Sequence, residues 1–197
     1  KVAYVGNLSY DWTPPSVATF DATNDKSYNM VKQSVVYDSV GSQHTLSQYF
    51  VKQAAPAVNT VKVYYAFDGG APITTTKDLI FDSKGALPAG TSQALTFNPG
   101  AGVDPVNFTI DYDGSTHVAG EATNTTNRSD GYASGSFVGV QLANDGSVIA
   151  KYSNEQQQIV GTLAIATFPD EGSLSQTSDT SWVANNASGT PLYAAPG

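Results

Sequence analysis

Apolar and polar positions alternate with a period of two along much of this chain, and the pattern predicts strands. Val61, Val63, Tyr65 and Phe67 alternate with Lys62, Tyr64 and Ala66, as in one half-buried strand. Similar runs fall at 2–10, 31–37 and 44–52. A further strand carries Leu79 and Phe81, and shorter ones fall at 94–97 and 106–112. Turn clusters separate them: Trp12-Thr13-Pro14-Pro15, Asp38-Ser39-Val40-Gly41 and Asp82-Ser83-Lys84-Gly85. No window sustains the i, i+3, i+4, i+7 spacing of an amphipathic helix, and Gly or Pro interrupts most windows.

Residues 116–130 are polar and without periodicity, so they read as a linker or long loop. A domain boundary is expected near Asp130, with a hinge over 124–131, where the composition is loosest. Beyond it, Val138, Val140 and Leu142 point one way, as do Val148, Ala150 and Tyr152 after the turn Asn144-Asp145-Gly146. Two period-2 runs around Asp-Gly predict a hairpin, with Asp and Gly both tolerating the positive φ of a tight turn. Ile159, Leu163 and Ile165 form another alternating face. The expected fold class is all-β with two β-rich domains: a sandwich or barrel over 1–130 and part of a second β domain over 131–197. The second segment has few strands for a self-sufficient domain and reads as half of one.

Composition narrows the function. A chain of 197 residues buries roughly 70% of its unfolded surface, enough to fold without disulfide or metal. It has no cysteine, which removes thiolate metal sites and thiol nucleophiles. A net charge of -8 argues against nucleic acid, which requires a basic patch. Charged residues are only 13% of the chain, so its surface is largely Ser, Thr, Asn, Gln and Gly. No apolar run approaches a membrane span. The first residue is Lys and no signal peptide precedes it, which suggests an excised fragment or matured product.

Candidate chemistry is sparse. Asp38 to Gly41 and Asp82 to Gly85 lack the dense oxygen ligands of a calcium loop, and turn chemistry accounts for them. Asp104, Asp111, Asp113 and Glu121 could suggest paired carboxylates for glycoside cleavage, but nothing supplies a pocket or apolar collar. His44 and His117 have no nearby ligand spacing, and no Gly-x-Ser-x-Gly elbow accompanies them. No catalytic, cofactor or metal residue is therefore expected, and the chain does not read as an enzyme. The 11 Tyr, 8 Phe and 2 Trp could stack on sugar rings or pack across strands. Tyr64 and Tyr65 lie on opposite faces, so at least one could be outward. Sequons at Asn7, Asn107, Asn124, Asn127 and Asn186 fit chance in a chain so rich in Asn, Ser and Thr.

Two blocks resemble bacterial flagellar hook proteins. In YDSVGSQHTLSQYFVK, residues 37–52, Tyr37, Asp38, Ser39, Gly41, His44, Tyr49 and Phe50 fall on the family pattern. The second block, residues 131–168, includes Asn144-Asp145-Gly146 and Tyr152-Ser153-Asn154, and is followed by Trp182 and Ala187-Ser188-Gly189. Between 53 and 127 the similarity is mainly LIFDSKGAL, residues 79–87.

The resemblance implies a structural subunit of the hook, the curved universal joint that transmits motor torque to the filament. It implies an extracellular flagellar location, with export that uses no cleaved signal. It also implies self-association into a helical tube and contacts with rod, hook-cap and hook–filament junction proteins, with no membrane or nucleic-acid partner. Residues 1–130 correspond to the family's outer domain, and 131–197 to the returning half of its middle domain. Without the family's terminal helices the chain is expected to be monomeric, with polar, weakly adhesive faces. The alternative reading is a secreted carbohydrate-binding β sandwich.

Overall fold

The computed structural model describes residues 1–196. They are nearly all strand and turn, and divide into two compact units, Lys1–Ser134 and Gly135–Gly197. No helix is long and apolar enough to cross a membrane.

The first unit contains two four-stranded sheets. One has the order β6-β7-β1-β8, built from β1 (Val2–Asn7), β6 (Ser92–Phe97), β7 (Val106–Asp111) and β8 (Thr123–Ser129). The other is an antiparallel meander, β2 (Met30–Tyr37), β3 (Gln43–Lys52), β4 (Thr60–Phe67) and β5 (Pro72–Ile80). All its pairs are antiparallel, while β1 runs parallel to β7. Val2, Tyr4, Leu95, Ile110 and Tyr112 from the first sheet region pack with Leu46, Phe50, Val61, Val63, Tyr65 and Leu79 of the second in one buried cluster. This is the β sandwich that the alternation predicts, because the apolar residues of the strands leave water for a shared core.

A directional chain of polar groups crosses that core. Tyr65 OH lies 2.9 Å from Tyr112 OH, which donates to Gln48 Oε1 at 2.8 Å. Gln48 Nε2 donates to Ser34 Oγ at 3.0 Å, and Ser34 donates to Asn127 Oδ1 at 2.5 Å. Asn127 Nδ2 then donates to the Gln33 carbonyl at 2.6 Å, joining edge strand β8 to edge strand β2. The members satisfy one another, which buried polar groups require.

The expectation of a linker at 116–130 is corrected. Residues Thr123–Ser129 form β8, paired antiparallel with β1 from Val2↔Ser129 to Asn7↔Thr123. The strand carries no apolar period because its inward link is Asn127's amide rather than a hydrophobic side chain. The expected hinge over 124–131 thus falls largely on a hydrogen-bonded strand.

The second unit has a three-stranded antiparallel sheet, β11-β10-β9, of β9 (Phe137–Leu142), β10 (Ser147–Tyr152) and β11 (Gln157–Thr162). Two two-stranded ribbons follow, β12 (Ile165–Thr167) with β15 (Leu192–Ala194), and β13 (Ser175–Gln176) with β14 (Trp182–Val183). The β9–β10 hairpin forms as the sequence predicts, but only Gly146 takes a positive φ (80°). Ala143 N donates to Ser147 O and Gly146 N to Ala143 O, so Asn144, Asp145 and Gly146 make a three-residue loop rather than a two-residue one.

Candidate functional site

Of the resembling residues 37–50, Asp38, Gly41 and His44 meet at one end of the first unit. Asp38 follows β2 and folds back over its own turn: Oδ1 accepts from Val40 N at 3.0 Å and Ser42 N at 2.7 Å. Gly41 takes φ 82°, and a Cβ there would sit 2.4 Å from Ser134 N, so glycine is required twice over. His44, at the start of β3, stands between two carboxylates. Its Nε2 lies 3.3 Å from Asp38 Oδ2 and its Nδ1 lies 2.8 Å from Asp68 Oδ2. Asp68 belongs to the β4–β5 turn, and its other oxygen accepts from Thr45 N at 2.7 Å. Phe97 of β6 meets the imidazole edge-on at 4.8 Å, bringing the other sheet to the same clamp.

Burial opposes the His44 charge, but hydrogen bonds and attraction from Asp68 and Asp38 outweigh it and hold the pKa above the ordinary histidine value. Burial likewise opposes ionisation of both carboxyls. Turn amides and the imidazole nevertheless hold Asp38 and Asp68 below the usual carboxylate range. Both ring nitrogens and the facing oxygens are engaged with one another, so the arrangement binds two hairpin turns together and leaves no free nucleophile or base. Sequence reasoning missed Asp68. Its signal was the Asp68-Gly69-Gly70 turn one hairpin away.

Of the remaining candidates, the Asp82 turn and His117 line one surface cleft, and the others are dispersed. Asp82 Oδ1 accepts from Lys84 N at 2.8 Å and Ala86 N at 2.9 Å, an Asx turn. Asp113 accepts from Gly90 N and Thr91 N, and Asp111 pairs with Lys1 Nζ at 2.8 Å, while Asp104 and Glu121 are exposed. His117 lies at the other end of β3, beside Lys52. Tyr37 packs near Gly131, Ser39 is exposed in the clamp turn, and Phe50 is in the core. Among the second-block residues, Asp145 Oδ1 accepts from Ser147 N at 3.0 Å, and Tyr152 meets Phe137 edge-on at 6.4 Å. Trp182 is exposed in β14.

Tyr65 is buried in the core and Tyr64 faces outward, but Phe20 stacks on Tyr64 with ring centroids 4.1 Å apart. Phe20 also packs against Tyr49, which meets Tyr28 edge-on. The long loop between β1 and β2 therefore covers the outward aromatic row, and the face of Tyr64 that a sugar ring would stack on is occupied. Nothing in this arrangement favours the carbohydrate-binding reading.

The second unit differs in surface. Val138, Val140 and Leu142 of β9 are more than half exposed, as are Ile159 and Val160 of β11 and Leu192 and Tyr193 of β15. Ala150 is its one buried hydrophobic residue among those described. The polar, weakly adhesive surface expected from composition is corrected here: the alternating strands present apolar rows with no layer of this unit packed over them.

A family model described as flagellar basal body protein FlaE D2 domain matches residues 7–132, which hold the histidine clamp and most of the core of the first unit. The chain belongs to this family. Among curated proteins, the flagellar hook protein FlgE of Salmonella typhimurium is 32% identical over 198 aligned residues, covering 97% of this chain and 48% of the relative. The FlgE hook protein of Escherichia coli is 33% identical over 196, with the same coverage. The chain thus spans about half the length of the curated FlgE relatives it matches. A crystal structure of Helicobacter pylori flagellar hook protein FlgE2 shares the fold with a TM-score of 0.53 at 18% identity, over 83% of this chain and 38% of that one. In the FlaE D2 frame, the hook resemblance of residues 37–52 lies within the matched domain, and that of residues 131–168 lies almost wholly beyond it.

Proposed function

We propose that this chain is part of the structural subunit of a bacterial flagellar hook, the curved tube that couples motor torque to the filament. FlaE D2 membership over residues 7–132, continued by similarity to FlgE hook proteins over nearly the whole chain, carries this reading. The clamp and the polar relay suit the role: they cross-link turns and sheets of a block that must transmit load without deforming. Small polar contacts between such blocks can slide and re-form as a curved tube rotates.

On this reading residues 1–130 are the outer domain, and 131–197 are one half of a middle domain completed by chain outside this segment. The relatives are about twice as long, and the apolar rows of β9 and β11 are the surface such a segment would cover. The subunit is exported to the cell exterior, polymerises with its own kind, and meets rod, hook-cap and hook–filament junction proteins at the ends of the tube. Immunoelectron microscopy with antibodies raised against the chain tests the proposal. Label is expected along the short curved segment between cell surface and filament. Label confined to the filament or the cytoplasm overturns it.

A further inference from the structure

At the end of β3 opposite the clamp, Lys52 and His117 are both buried, at 7% and 3% exposure. Lys52 Nζ donates to the Tyr10 carbonyl at 2.5 Å, sits 4.4 Å from the centre of the Tyr10 ring, and lies 3.5 Å from His117 Nε2. Among the described residues no carboxylate oxygen lies within salt-bridge distance of this ammonium. His117 Nδ1 contacts the Leu8 carbonyl, which places the ring proton there and turns the Nε2 lone pair toward Lys52. Tyr10 and Phe81 flank the imidazole at 5.3 and 5.0 Å.

The backbone around this pair closes the sandwich end. Leu8 N donates to Thr116 O, Tyr10 N to Val118 O, and His117 N to Gly85 O, each at 2.8–3.0 Å. A surface cleft of about 390 Å³, lined by Tyr10, Asn59, Lys84, His117 and Val118 among others, gives solvent a route to the ring.

We propose that Lys52 and His117 form an acid-released latch that holds the extension of β1, Leu8 to Tyr10, against β3 and the 115–118 segment. With His117 neutral, its Nε2 lone pair accepts from the Lys52 ammonium. A proton on Nε2 sets two cations side by side in a buried site, and the contact becomes repulsive. The surrounding charges do not offset this: Asp11 attracts Lys52 only from a distance, and Asp82 and Lys84 oppose one another at the cleft rim. Burial and the Lys52 charge prevail over the Leu8 and Val58 carbonyls, which favour the protonated ring, and depress the His117 pKa, while burial depresses that of Lys52. A histidine depressed in the folded chain contributes stability above its unfolded value, about 6.5, and loses it as pH falls through the folded value.

The test is an NMR titration of His117 with amide hydrogen exchange, in the wild-type chain and in Lys52→Met. His117 is expected to titrate below an ordinary histidine in the wild type and to move upward in Lys52→Met. Exchange at Leu8 and Tyr10, corrected for intrinsic rates, is expected to accelerate on the order of tenfold between about pH 8 and about pH 5. His117→Gln should abolish that acceleration. A wild-type His117 titrating at or above the ordinary value overturns the latch without need of any variant. So does acid-accelerated exchange that persists in His117→Gln.

Discussion

His44 Nδ1 and Asp68 Oδ2 lie 2.8 Å apart although 24 residues separate them, and this pair ties the β2–β3 turn to the β4–β5 turn. Asp38 closes the clamp from the other side of the ring at 3.3 Å. Each carboxylate also accepts from backbone amides of the turn or strand beside it, so the imidazole joins two locally formed structures rather than creating either. That division of labour explains why a histidine appears among otherwise ordinary turn residues.

The clamp predicts a pH dependence whose sign is fixed. Because His44 is raised in the folded chain, its contribution is complete below the unfolded value, about 6.5, and is lost as pH rises through the raised value. The urea midpoint of His44→Gln should therefore fall short of wild type near about pH 5.5 and converge with it above about pH 8. Asp68 is partly solvated, so added salt should shrink the gap. A gap that widens with rising pH would show that the ring acts by packing on Phe97 and not by charge.

Two buried tyrosines should respond in opposite ways to loss of a hydroxyl. Tyr112 OH connects Tyr65 and Gln48, and removing it strands partners inside the core. Tyr112→Phe is expected to cost about 1–3 kcal/mol in equilibrium denaturation. Tyr4 OH is buried without a hydrogen-bond partner. Tyr4→Phe is accordingly expected to be neutral or to stabilise by up to about 1 kcal/mol, because its hydroxyl is already desolvated for no return. Equal destabilisation by both would contradict the relay.

The strands of the sandwich were legible where burial alternates, as along β1 and most of β4; Val61, Val63, Tyr65 and Phe67 announce β4 without help. Strand β8 was not legible. Thr123 to Ser129 carries Asn and Thr where a strand usually shows apolar residues, and its place is set by pairing with β1 and by Asn127 bridging to β2. Periodicity cannot register a strand held by long-range polar contacts. The clamp was half legible: Asp38, Gly41 and His44 stand in one motif, while Asp68 enters only when β4 brings its turn alongside. In the second unit, alternation identified β9 and β10 but carried no information on whether anything covers their apolar rows.

Gly41 and Gly69 separate conformational strain from steric conflict. Both take positive φ, 82° and 70°, but a Cβ at Gly41 would meet the Ser134 backbone while one at Gly69 meets nothing within 4 Å. Gly69→Ala should cost about 1 kcal/mol, the left-handed penalty alone. Gly41→Ala should cost roughly twice that or more, since Ser134 must also move. Thermal melts of the two variants provide the comparison, and equal losses would mean that Ser134 yields without resistance.

The apolar rows of the second unit predict how the chain behaves when nothing covers them. An environment-sensitive dye such as anilinonaphthalene sulfonate should bind and brighten, because Val138, Val140 and Leu142 present a continuous row on one face of β9. Val140→Lys should weaken that signal and leave the unfolding midpoint of the first unit unchanged, since the buried hydrophobic cluster lies wholly within the first unit. In the full-length protein the same substitution should destabilise the second unit by about 1–3 kcal/mol, if a further segment buries Val140 there. Dye binding that is absent from the chain, or unchanged by Val140→Lys, would place the exposed apolar surface elsewhere and remove the reason to expect a covering segment.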